Sequence, residues 1–78
     1  MNIPYLVNMA NDIAAFFASE PDREVAIDAV ATHLRRYWAP RMRAQLRAHA
    51  EGGGEGLGEL ARAAVMKLAR DPAGDRAP

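Results

Sequence analysis

The chain has 78 residues, no cysteine, and ten basic side chains against ten acidic ones. That length allows one small domain with a thin core, and the absence of thiols excludes a disulfide staple or a cysteine-based zinc or iron–sulfur site. Zero net charge argues against a nucleic-acid binder of the usual strongly basic kind, and 17 of the apolar residues are Ala, which add helix propensity more than burial.

From the N-terminus, no basic region precedes an apolar run of about 7 to 15 residues, so no export signal is expected, and no stretch is long enough to span a bilayer. Ile3, Leu6, Val7, Ala10, Ile13, Ala14 and Phe17 recur at spacings of three and four, predicting a helix over about 3–19. Asn2 is placed to cap it, and Pro4 falls in the first turn, where its missing N–H is harmless. Pro21 ends that helix and opens a second over about 21–38. Glu20, Asp22 and Glu24 put negative charge at its start, and Arg35 and Arg36 put positive charge at its end, as the helix dipole favours. Its inward stripe is Ile27, Val30 and Leu34 with Tyr37 or Trp38, and His33 lies beside it.

Pro40 interrupts the run and begins a third helix over about 40–50, with Met42, Leu46 and Ala50 on one face. Residues 51–56, Glu-Gly-Gly-Gly-Glu-Gly, read as a flexible linker whose first glycine, Gly52, suits the left-handed position after a helix. Leu57, Leu60, Ala61, Ala64, Val65 and Leu68 restore helical spacing and predict a fourth helix over about 57–70. The expected fold is all-α: one small bundle of three to four short helices over residues 1–72, with a Gly-rich linker before the last helix and a flexible tail over 73–78.

Charge is segregated along the chain. Residues 12–28 carry five carboxylates and one Arg, whereas residues 29–50 carry five arginines, both histidines and no carboxylate. The basic stretch surrounds the sole Trp. Arg and Trp dominate interface hot spots, because a guanidinium pairs with carboxylates through two parallel bonds and indole buries a large rigid area. Arg35, Arg36, Tyr37, Trp38, Pro40, Arg41, Met42, Arg43 and Arg47 are therefore the candidate partner-binding residues, although Trp38 is equally placed to cap the small core at the corner. Tyr5, Met9 and Phe16 lie off the main stripe of the first helix and form a candidate second apolar surface.

Catalytic chemistry finds no support. Ser19 and Thr32 lie in no nucleophile motif, the glycine run lacks the following Lys and Ser/Thr of a phosphate loop, and His33 and His49 have no companion ligands at metal spacing. No catalytic, cofactor-binding or metal-binding residue is assigned. The alternative reading is a small helical nucleic-acid module, with the helices around Pro40 as a helix-turn-helix and the Arg35–Arg47 cluster on phosphates.

The pattern Leu6-Val7-x-Met9-Ala10-Asn11-x-Ile13-Ala14-x-Phe16-Phe17, then Pro21-x-x-Glu24, then His33-Leu34-Arg35-Arg36-Tyr37-Trp38-x-Pro40-Arg41-Met42-Arg43 resembles the small delta subunit of the soluble NAD-dependent formate dehydrogenases. The resemblance is close from Asn2 to about Leu46 and looser from Glu55 to Leu68. Ala39 departs from it, because an acidic residue is expected before the Pro.

The resemblance implies a cytoplasmic complex that converts formate and NAD to CO2 and NADH. Its large alpha subunit would carry a bis-molybdopterin guanine dinucleotide cofactor with molybdenum or tungsten, and iron–sulfur clusters. The smaller beta and gamma subunits would carry FMN and pass electrons to NAD. The delta subunit is implied to be an accessory without cofactor, membrane or nucleic-acid contacts, packing on the alpha subunit to aid assembly or stability of the cofactor-loaded enzyme.

Overall fold

The computed structural model describes residues 2–70, and of residues 69 and 70 the backbone alone. Four helices account for most of it: α1 (Ile3–Phe17), α2 (Arg23–Tyr37), α3 (Pro40–Glu51) and α4 (Glu59–Arg70). No strand occurs among the described residues, so the fold is all-α. The end of the expected domain at 72 and the expected tail over 73–78 lie outside the described residues.

The first two helices begin at a side-chain cap. The Asn2 side chain accepts the Tyr5 N–H at 3.2 Å and starts α1. Asp22 accepts the amides of Glu24 at 3.0 Å and Val25 at 3.3 Å. Asp22 is thus the N-cap of α2, not part of its first turn, and the helix begins at Arg23 instead of 21. The α1 helix closes at Phe17, earlier than 19, because the chain tightens into a turn with Glu20 N–H on Phe17 O at 3.1 Å before Pro21.

Every pair of helices is in contact, and α4 packs most extensively, against α2 and α3. Leu6, Val30, Leu34, Leu46, Val65 and Leu68 are the largest fully buried side chains. Seven alanines are buried too, among them Ala10, Ala31, Ala50, Ala61 and Ala64. Their role exceeds helix propensity: small side chains at the crossings set how closely helix axes approach, which lets 12- to 15-residue helices share one core. Arg23 pairs with Glu59 at 3.0 Å and Asp28 pairs with Lys67, tying the acidic half of α2 to α4. Exposed pairs of this kind add at most about 1 kcal/mol each.

The glycine run differs from the flexible linker expected of it. Glu51 belongs to α3, and the helix closes in a Schellman arrangement, with Gly54 N–H on His49 O at 2.9 Å and Gly53 N–H on Ala50 O at 3.2 Å. The residue with positive φ at the turn is Gly53 (124°), whereas Gly52 has φ −88°. Beyond it the loop is held from a distance. Asn11 donates Nδ2–H to Gly56 O at 2.9 Å and accepts Gly58 N–H at 2.8 Å. His49 Nε2 lies 2.8 Å from Glu55 O. Gly56 sits at φ 87°, and a Cβ there would lie 3.3 Å from Val7, so the loop lies directly on α1.

Candidate docking surface

The corner between α2 and α3 contains the basic cluster, and the structure divides that cluster into two populations. Trp38 is the C-cap residue of α2, with extended backbone, and the residue is 5% exposed within the core. Arg43 is 6% exposed. Its Nη1 donates to Trp38 O at 2.6 Å and Arg35 O at 3.0 Å, with Leu34 O at 3.4 Å. Leu34 O already accepts the Trp38 N–H at 3.0 Å, whereas the Arg35 and Trp38 carbonyls lie at the end of α2, where intrahelical donors run out.

A physical reason follows from the chain order. With Ala39-Pro40 next, no glycine follows α2 to reverse the chain and cap its end, so a charged donor from the next helix does so instead. A charge-assisted bond of this type contributes roughly 1.5 to 3 kcal/mol. The start of α3 is weaker. Ala39 is its N-cap and has no side chain to accept an amide, and Pro40 at the first helical position removes one of the unmatched donors. Ala39, where the resemblance led to an acidic residue being expected, therefore occupies a capping position.

The rest of the cluster reaches solvent to different degrees. Arg36, Tyr37, Pro40 and Arg41 are exposed, while Arg35, Met42 and Arg47 are half-buried, with Met42 packed against the core. Neither Arg36 nor Arg41 has a hydrogen-bond or ion-pair partner among the described residues. Of the second expected surface, Tyr5 is 60% and Phe16 78% exposed, whereas Met9 is half-buried against the core.

A grouping that sequence reasoning missed lies where α1 meets α2. The Phe16 and Phe17 rings pack edge-on at 5.1 Å between centroids, Phe17 meets His33 at 6.5 Å, and His33 meets Tyr37 at 4.8 Å. Tyr37 is 70% exposed. The i, i+4 spacing of His33 and Tyr37 was a local signal, but their meeting with Phe17 depends on how α1 and α2 pack.

The chain has no cysteine, and no group of three or more His, Asp or Glu side chains is placed to hold a metal among the described residues. His33 makes ring contacts and His49 faces a loop carbonyl. No described helix is long and apolar enough to cross a membrane.

These features define a small all-α chain with an exposed aromatic and basic face. The family model for the NADH-dependent formate dehydrogenase delta subunit, FdsD, matches residues 5–65. That span covers most of the chain, and the protein belongs to this family, whose members are subunits of a formate dehydrogenase complex. No curated protein and no solved structure matches it.

Proposed function

We propose that this chain is a non-catalytic accessory subunit that packs on the large molybdopterin-containing subunit of a cytoplasmic formate dehydrogenase. In that role it aids assembly or stability of the cofactor-loaded enzyme, while the beta and gamma subunits complete the complex. Family membership carries the reading. The exposed, unpaired guanidiniums of Arg36 and Arg41 add the chemistry, because they suit carboxylates on a protein partner. Arg35, Tyr37, Pro40, Met42 and Arg47 surround them, and Trp38 and Arg43 hold the corner rigid from inside. Molybdopterin, iron–sulfur and FMN chemistry belongs to the other subunits in this reading.

The helix-turn-helix alternative loses one of its five arginines, because Arg43 is turned inward onto backbone carbonyls. Mass spectrometry of what co-purifies with a tagged copy at native abundance tests the proposal. A large molybdopterin subunit is expected, and cells lacking the chain should hold a smaller metal-loaded fraction of it. Recovery of the chain alone, or with nucleic acid, would overturn the reading.

A further inference from the structure

Two hollows open on the side where α1 meets α2, and they share a wall. One, of about 450 Å3, includes Val25, Thr32, Arg36 and Tyr37 in its lining. The other, of about 320 Å3, includes Asp12, Ile13 and Phe16. Phe17 and His33 line both, so the two form one groove. The ring ladder of Phe16, Phe17, His33 and Tyr37 follows it for at most about three helical turns. Among the described residues, three of the four exposed large hydrophobic side chains, Phe16, Val25 and Tyr37, line this groove. That concentration sets it apart from the scattered apolar exposure of an ordinary surface.

Each lobe of the groove also carries a charge without an ionic partner among the described residues: Asp12 stands on one and Arg36 on the other. Asp28, in the Arg36 lobe, is already paired with Lys67. An apolar trough with a base in one lobe and an acid in the other suits an amphipathic helix. Such a helix brings apolar side chains at i, i+3 or i+4 and i+7, a cation at one end and a carboxylate at the other.

Two other occupants fit less well. A second copy would bring a hollow to a hollow in a two-fold pairing, leaving the trough unfilled. Residues 71–78, Asp-Pro-Ala-Gly-Asp-Arg-Ala-Pro, contain no large apolar side chain to fill it.

We propose that this groove receives one amphipathic helix of another subunit of the formate dehydrogenase complex, laid along Phe16, Phe17, His33 and Tyr37 with a carboxylate on Arg36 and a cation on Asp12. The inference rests on the reading of the chain as a docked subunit, and it names the chemistry of the contact. Photoreactive phenylalanine placed singly at positions 16, 37 and 41 of the assembled complex tests it. Positions 16 and 37 are expected to crosslink to one helical stretch of another subunit. The Phe16→Ser, Tyr37→Ser pair is expected to lower retention of the chain on the complex at least tenfold.

Crosslinks between two copies of this chain, or from the groove to residues 71–78, would overturn the groove assignment. Crosslinking from 41 alone would overturn it too, while leaving the docked-subunit reading standing. No crosslink from any of the three positions would defeat both.

Discussion

The α2–α3 corner and the α1–α2 groove are both rich in the residue types that dominate interfaces, yet they use them in opposite directions. At the corner, Trp38 and Arg43 are turned inward, one filling the core and the other matching the carbonyls at the end of α2. Along the groove, Phe16 and Tyr37 stand largely in solvent. Neighbours in sequence separate across this divide: Trp38 is buried beside exposed Tyr37, and Arg43 is buried two residues after exposed Arg41. Side-chain type alone therefore does not tell a hot spot from an internal fastener. What decides is whether the backbone nearby has an unmet need, and the end of α2 has one.

Substitutions grade that contrast. Trp38→Ala empties a large core site, and urea or thermal unfolding of the purified chain is expected to show a loss of about 3–5 kcal/mol, enough to abolish cooperative unfolding in so small a domain. Arg43→Met keeps an unbranched apolar stem but strips the α2 carbonyls of their donor, with an expected loss of about 2 kcal/mol in the same measurement. A loss near zero would show that the carbonyls find other partners.

Ala39→Asp supplies a capping acceptor at the start of α3 and is expected to raise stability by about 1 kcal/mol, seen as a higher unfolding midpoint. Phe16→Ser is expected to leave the midpoint within about 0.5 kcal/mol, because the ring is mostly in solvent, while weakening association with the complex. A large stability loss from Phe16→Ser would erase the difference between the two regions.

Much of the fold was legible because helix ends are written locally. Asn2, Asp22 and Pro40 each mark a start, and the three-four spacing of Leu60 to Leu68 marks the last helix across the glycine run, although that helix begins at Glu59 and not at 57, because Leu57 N–H turns back onto Gly54 O. Asp22 was readable as a cap but was counted with the first-turn charges, which displaced the start of α2. The glycine loop was misjudged because its fasteners are remote: Asn11 lies 45 residues before Gly56. Glycine content signals permissive backbone and says nothing of a distant side chain that fixes it.

The inward turn of Arg43 had one indirect signal. A helix followed by Ala-Pro lacks a glycine cap, so a nearby donor must serve. The aromatic ladder had none beyond the His33–Tyr37 spacing, since Phe17 joins it only through packing of α1 on α2.

The central claim is that this subunit docks through its exposed face while Trp38 and Arg43 only hold the corner that presents it. The most direct measurement is retention of the Arg36→Glu, Arg41→Glu double variant in the purified formate dehydrogenase complex, read beside its unfolding midpoint. The account predicts loss of the chain from the complex with the midpoint unchanged. Retention at wild-type stoichiometry, or loss only together with a collapse of the midpoint, would contradict it.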